Sequence, residues 1–402
     1  MKEEKFVKKI LDAGGRVYVA GGWVRDRVLG RVPRDKDYVI TGLTEEIFSK
    51  VFPRSFSIGR KFPVYRALID GVHCDVAFAR SETKSGRGHG GFDVSFSPLS
   101  TIEDDLYRRD TTINAMALDL RTGELIDPYG GEHDARNRVI KAVSEHFADD
   151  PVRALRAARQ AAAFGFRIDP GALGLMKACR EELKGEPGER LVKELTMALA
   201  CEKPSIFFIN LLGAGILDVA FPQIYALAGA RDAFVHAMEV LDRTSALSGR
   251  IEVRFAALAR DIGKALSSEE LRPRRYGQDE RGREALRIWN AAATLPKRWI
   301  KCALFVMSEH TRVWNIKKPG KIADLLERLS RHPVGVDGFK AIVVADRGKA
   351  PYLLENYARL MEAMESVKSS DAPPGLAGED MGKWMRARRA EAVAGVLGRK
   401  AP

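Results

Sequence analysis

The sequence predicts an α/β head followed by a long helical body, and three observations predict it. Up to about residue 145, short β-branched and aromatic runs alternate with helix-like stretches. From about residue 146 the chain turns to Ala, Leu and Arg at helical spacing, starting with 154–164 and continuing to the end. Breaks near 185–188, 229–231, 273–282 and 371–378 follow no fixed period, so the body is not a repeat array.

Taken in order, Arg16–Ala20 reads as a strand ending at Gly21-Gly22, and 23–29 reads as a helix start. Asp37–Thr41 is a second strand. Residues 64–69 and 73–79 form a hairpin around Asp70-Gly71, and 115–120 closes a mixed sheet of about five strands. Pro373-Pro374 marks a linker before a last helix.

Hydrophobic residues make up 45% and charged residues 30%, the balance of a folded globular chain rather than a disordered one. At 402 residues, roughly two to three domains are expected. Lys and Arg number 66 against 54 Asp and Glu, and the net charge of +12 favours a polyanionic partner such as RNA, DNA or an anionic membrane surface. No apolar run approaches the roughly 20 residues of a membrane span. The opening MKEEKFVKKI is charged and has no apolar signal core. The four cysteines are scattered without a CxxC pair and read as free thiols, so a reducing, cytoplasmic setting is expected.

The segment from Gly21 to Asp37 carries the most chemistry. Asp35 and Asp37 are two residues apart as the chain enters a strand, which turns both carboxylates to one face. Two clustered acids repel unless a cation sits between them, and Mg²⁺ suits them where phosphates are the substrate. A metal pair can activate an attacking hydroxyl and stabilise a leaving pyrophosphate. Asp75, on the strand 73–79, is a third candidate acid. Such an acid pair alone is commonly a surface turn. Here Gly21 and Gly22 let the backbone approach a triphosphate, the following helix start offers free N–H groups, and Arg25 adds a charged donor.

With that segment, the chain resembles the class II tRNA nucleotidyltransferase and poly(A) polymerase family. RRDTTINAMA at 108–117 resembles the family's second motif, and LIDPYGG at 125–131 follows in family order. FADDPVRALRAAR at 147–159 resembles the nucleobase-selecting helix, and Phe164-Gly-Phe166 and Glu189-Arg190 come next. The resemblance covers nearly the whole chain and lies closest to CCA-adding enzymes with an HD-type domain. It implies a nucleotidyltransferase head at 1–145, a helical neck at 146–200, a degenerate HD-type body at 201–350 and a tRNA-binding tail at 351–402. It further implies Mg²⁺, the substrates CTP and ATP, and tRNA as partner, recognised by the shape of its acceptor end. No membrane partner is expected, and the sequence leaves the oligomeric state open.

The resemblance also implies how bases are chosen without a template. Asp150 and Arg153, one helical turn apart, match the residues that read the incoming base. Cytosine and adenine each present an amine donor beside a ring-nitrogen acceptor, which suits a carboxylate beside a guanidinium. Uracil and guanine present a carbonyl where the amine should be, leaving groups unpaired at ~1–3 kcal/mol each. Arg156 and Arg159 follow on much the same face and match positions that contact the nucleotide or its phosphates. The family usually has Glu where this chain has Asp149, a conservative change that leaves selection intact. Taken without the resemblance, 149–159 would be a capped helix with a solvated basic stripe. In the second motif, Arg109 matches a phosphate-contacting position and Asn114 fixes the local turn. The Gly-rich basic run 80–92 resembles the family's mobile loop that switches the site from C to A, which argues against a CC-only enzyme.

An HD phosphohydrolase needs a His, a His-Asp pair and an Asp around a divalent metal. Here His236, Arg260-Asp261 and Asp346 stand in those places. A guanidinium cannot ligate a metal and repels one. The run Pro273–Gln278 lacks the histidines of active relatives as well. A body without phosphohydrolase activity is therefore expected. The surviving aspartates of the head argue against a vestigial-head hydrolase and against a non-enzymatic RNA-binding protein. A partial CC- or A-adding enzyme and a poly(A) polymerase share every catalytic motif. The latter usually has a longer basic tail than the stretch after Arg386. Candidates for tRNA phosphate contact are Arg386, Arg388, Arg389 and residues 297–301.

Overall fold

The computed structural model describes residues 1–58, 64–86, 92–229, 231–265 and 278–398. The chain divides into two compact units, one of 1–194 with 206–220 and one of 195–205 with 221–402.

The first unit is built on a mixed sheet. Its strands are β1 (Arg16–Ala20), β2 (Asp37–Thr41), β3 (Phe56–Ile58), β4 (Val64–Ile69), β5 (Val72–Phe78), β8 (Ala117–Asp119) and β9 (Leu125–Ile126), in the order β3-β4-β5-β2-β1-β8-β9. The count is seven rather than about five. The two additional strands are edge strands of three and two residues, too short to show an alternating pattern. The β4–β5 hairpin turns at Asp70-Gly71, both with positive φ (49° and 80°), as a two-residue turn of its hand requires. Only the β2–β5 pairing among these is parallel, and it sets Asp37 in register with Asp75.

Alternation along the central strands buries both faces. Val17, Val19, Tyr38, Ile40 and Val76 pack with Phe6 and Ile10 of α1 (Glu3–Asp12) and with Phe48. Tyr18, Ala20, Val39 and Ala79 pack on the other face with Ile102, Leu106 and Ala115. Asp37 shares the parity of Val39, so it faces the side of the sheet that carries the 108–117 motif.

The basic run 80–92 is not wholly a loop. Residues Arg80–Lys84 (β6) pair with Phe92–Phe96 (β7) as a separate antiparallel hairpin, and 87–91 lie outside the described residues.

Residues Val152–Phe164 form a helix, which buries Ala154, Ala157, Ala158, Ala161 and Ala162. Small side chains let this helix approach its neighbours closely. Gly165, at φ 69°, ends it in the left-handed conformation that a residue with a Cβ resists. Two short strands, Val139–Ile140 and Arg167–Ile168, pair in parallel and pin both flanks of the helix.

The second unit is helical throughout its described residues, with Phe255 stacked on Trp299 (ring centroids 4.8 Å apart) in its core. No described helix is long and apolar enough to cross a membrane. The run 273–277 lies outside the described residues.

Candidate active site

A cleft of about 660 Å³ in the first unit gathers most of the residues that the sequence singles out. Gly21, Gly22, Arg25, Asp37, Arg109, Asn114, Asp150, Arg153, Arg156 and Arg159 all line it. Asp35 and Asp75 are not among its lining residues.

The orientation of the acidic pair follows from the residues between and beside it. Lys36 Nζ donates to Glu3 Oε1 at 2.8 Å, and Tyr38 Oη donates to the same oxygen at 2.6 Å. Lys36 and Tyr38 thus share one face, toward α1, which leaves Asp35 and Asp37 the opposite one. Asp35 lies just ahead of β2 rather than within it. Asp75 stands beside Asp37 on the parallel neighbour and pairs with Arg66, Oδ1 to Nε 3.2 Å. Asp37 has no ion-pair partner among the described residues. Its carboxyl is pushed above the ordinary value by partial burial, with Asp75 and Asp35 adding to the rise and Arg109 opposing it. The three carboxylates are therefore close enough to repel one another. Carboxylate oxygens of this kind fit Mg²⁺, which takes one or two carboxylates and fills the rest of its shell from water and phosphate, and Asp75 would have to share its carboxylate with Arg66.

The glycines face this acidic group. Gly21 has φ 81° and ψ −128°, a conformation essentially restricted to glycine, and an added Cβ would lie 2.6 Å from Arg109 Nη1. Arg25 and Arg109 are more constrained than the sequence suggests. Arg25 donates to Asn114 Oδ1 (2.7 Å) and Asp26 Oδ1 (2.8 Å), and its guanidinium lies over the Phe164 ring, 4.5 Å from the centroid. Arg109 donates to Asp105 Oδ2 (2.9 Å) and to the Asn114 carbonyl (3.3 Å). Asn114 is thus the joint between them, and it also donates to Asp110 Oδ1 at 3.2 Å.

Sequence reasoning missed two buried aspartates that organise the cleft. Asp105, with no exposed surface, holds Arg108 and Arg109 on its two oxygens. Burial alone would raise its pKa, but the two guanidiniums outweigh it and hold the carboxyl below the usual range. Asp110, 5% exposed, accepts from Arg156 Nε (2.7 Å), Gln160 Nε2 (3.0 Å), Asn114 and the Thr111 amide (2.8 Å). Burial is again the largest single effect and acts upward, yet Arg156 and these donors hold Asp110 well below the carboxylate range. The helix 152–164 is thereby fastened to the 108–117 segment. Asp110 stood inside that motif, and its place directly after Arg108-Arg109 was the available signal.

Just ahead of the helix, Asp150 accepts from Arg190 Nη2 on both oxygens (3.1 and 2.9 Å) and from the Val152 amide on Oδ1 (3.1 Å). Arg153 is 8% exposed and donates to the His146 carbonyl at 2.6 Å. Arg159 pairs with Glu194 at 2.6 Å. Arg190 and Glu194, both on the helix Gly188–Leu199, therefore hold two of the candidate nucleotide contacts. Arg190 was visible only as part of the Glu189-Arg190 pair. Asp149 meets His146 Nδ1 at 2.8 Å.

In the second unit the four HD positions converge. His236 Nε2 lies 2.9 Å from Asp346 Oδ1, and Arg260 Nη2 lies 3.2 Å from Asp261 Oδ2 and 3.3 Å from Asp346 Oδ1.

Comparison with known proteins shows the family. Residues 17–141 match the family model of the poly A polymerase head domain, and 165–227 match that described as a probable RNA and SrmB- binding site of polymerase A. The chain is 36% identical to the multifunctional CCA protein of Acinetobacter baumannii, over 94% of this chain and 97% of the relative. The same protein of Nitrosococcus oceani is also 36% identical over the same shares. Among solved structures, a CCA-adding enzyme in its second apo form superposes with TM-score 0.70, 22% identity and coverage of 98% and 94%. The Thermotoga maritima CCA-adding enzyme complexed with tRNA gives TM-score 0.70, 22% identity and coverage of 97% and 90%, a likeness of fold. The chain belongs to the family of the multifunctional CCA proteins, class II nucleotidyltransferases with a poly A polymerase head.

Proposed function

We propose that this protein adds C, C and A to the 3′ end of tRNA from CTP and ATP. The observation that carries this reading is that one cleft holds both Asp37 and the Asp150/Arg153 pair, so that phosphoryl chemistry and base choice act on one bound nucleotide. In the reaction, the tRNA 3′-oxygen forms a bond to the α-phosphorus, the α–β bridging bond breaks, and pyrophosphate leaves with the electron pair.

Asp35 and Asp37, with Asp75 in support, would hold Mg²⁺. The ion would supply charge to the attacking and leaving oxygens. Gly21 and Gly22 let the triphosphate approach the backbone. Arg109 is fixed by Asp105 with its remaining N–H capacity toward the cleft. Arg25 and Asn114 keep that wall rigid, and Arg156 and Arg159 contribute positive charge along the nucleotide. A rigid donor set needs no reorganisation as charge develops.

Asp150 accepts the exocyclic amine of C or A, and Arg153 donates to the ring nitrogen. Arg190 and the His146 carbonyl hold the two in position before the base arrives. Asp150→Ala is expected to lower discrimination against UTP by about tenfold or more, the equivalent of one unpaired group, with tRNA affinity unchanged. The check is steady-state incorporation of CTP against UTP together with a filter-binding titration of tRNA. Unaltered nucleotide preference would remove Asp150 from base selection.

The division of labour follows the sequence, with a catalytic head at 1–145, a base-selecting neck at 146–200, a body at 201–350 and a tRNA-contacting tail at 351–402. The body carries no phosphohydrolase activity, because Arg260 stands where a metal-binding histidine is needed. A cytoplasmic setting is supported by four free thiols, three of them buried. Incubation with tRNA lacking its terminal nucleotides, CTP and ATP tests the central reading.

A further inference from the structure

The HD positions do more than lack a ligand. Asp261 is 5% exposed and Asp346 is largely buried, and both carboxylates approach the Arg260 guanidinium, whose side chain has no exposed surface. Arg260 Nε and Nη2 nevertheless have no hydrogen bond of good geometry, and Nη1 donates to the Ala257 carbonyl at 2.9 Å. Its hold on the two acids is thus that of a central charge rather than of aimed donors. Lys264 Nζ adds a second positive charge 2.6 Å from Asp261 Oδ1. Arg260 and Lys264 set two positive charges against the two aspartates, with His310 Nε2 3.5 Å from Asp261 Oδ1 and Arg347 Nε 3.7 Å from Asp346 Oδ2 beside them. His236, which would complete a ligand set, turns its Nε2 to Asp346.

We propose that Arg260 is a built-in replacement for a divalent ion, tying the end of the helix Ile251–Ala259 to the helix Gly335–Arg347 by charge, and that the site is a latent metal centre. The inference rests on reading 236, 260–261 and 346 as HD-type positions. Two consequences separate it from simple decay of a hydrolase site. The folded chain depends on the Arg260 charge, and returning a histidine at 260 returns metal binding, because Asp261 and Asp346 both reach the Arg260 guanidinium and His236 reaches Asp346.

The test uses the full-length, untagged chain as wild type, Arg260→Met, Arg260→His and the double variant Arg260→His/Asp346→Ala. Unfolding midpoints are measured in EDTA and in Ni²⁺, and bound nickel is counted after desalting. Arg260→Met leaves buried carboxylates uncompensated, and its midpoint is expected about 10 °C below wild type with or without Ni²⁺. Arg260→His is expected to fall similarly in EDTA, to recover at least half the loss in Ni²⁺, and to hold one more nickel per chain than wild type. Comparison with wild type subtracts any ion taken by the head, and the double variant should lose the additional nickel. A wild-type midpoint for Arg260→Met, or no additional nickel in Arg260→His, would overturn the proposal. Should Arg260→Met not fold, the nickel count of Arg260→His still decides. Nucleotide addition to tRNA is assayed alongside. Its absence in wild type would defeat the proposed function and leave this inference standing.

Discussion

Asp37→Ala is expected to abolish nucleotide transfer, by at least about 10³-fold, while the chain stays folded and binds tRNA. A loss of that size corresponds to about 4 kcal/mol of transition-state stabilisation, the range for removing a preorganised charge from a site of this kind. The structure explains why folding survives. Asp37 is crowded by Asp75 and Asp35 and has no ion pair among the described residues, so its carboxylate weakens the metal-free fold. The sign follows from its raised pKa. Between the unfolded and folded values the native state binds more protons, and stability falls as pH rises through that window. Neutralising Asp37 removes that penalty, so Asp37→Ala should unfold at or above the wild-type midpoint in EDTA. Mg²⁺ with CTP should raise the wild-type midpoint and leave the variant unmoved. Asp35→Ala should behave alike in transfer. Near-normal turnover in either variant would remove the metal assignment. Below neutral pH, the Mg²⁺ concentration needed for half-maximal transfer should rise, because a proton on Asp37 competes with the ion.

Asp110→Asn is expected to lower stability by about 2–4 kcal/mol, because it removes the charge that Arg156, Gln160, Asn114 and the Thr111 amide all address. For a unit of this size that is a fall of about 5–15 °C in the unfolding midpoint. The pH dependence has the opposite sign from Asp37. The folded pKa of Asp110 is depressed, so its contribution is complete above the unfolded carboxylate value and fades as pH falls toward the folded one. The difference between wild type and Asp110→Asn should therefore be full at pH 7 and shrink in acid. Transfer should fall too, since the helix 152–164 loses its fastening to the segment bearing Arg109 and Asn114. A variant as stable as wild type at pH 7 would show that the cluster is not what joins the two segments.

Much of the head was legible because its signals are local. Alternation marked β1, β2 and the β4–β5 hairpin, and Asp70-Gly71 marked its turn. The spacing of Asp35 and Asp37 suggested one shared face; Lys36 and Tyr38 turn together to Glu3, while of the two aspartates Asp37 lines the cleft. The edge strands Phe56–Ile58 and Leu125–Ile126 were not legible, because two or three residues have no period to read and exist only by pairing with a neighbour. The Gly-rich run 80–92 read as a loop from composition, although Arg80–Lys84 finds a partner strand.

The supporting residues of the cleft were the harder part. Whether an aspartate is a solvated surface charge or a buried organiser depends on which cations the fold brings to it. Asp110 meets Arg156 from 46 positions away, and Asp150 meets Arg190 from 40. No window along the chain contains that information. The HD positions span 110 residues between His236 and Asp346, and they were found only because a known pattern linked them. Their geometry then showed what spacing could not, that the substituted arginine sits between the two acids.

The most direct test of the central claim uses three tRNA transcripts, ending before the tail, after C and after CC, each incubated with Mg²⁺ and CTP, ATP or both. The account predicts that the shortest transcript receives C, C and A and then stops, with UTP and GTP excluded. Arrest at CC, extension of the CC-ended transcript alone, long runs of A, or no incorporation would each contradict it.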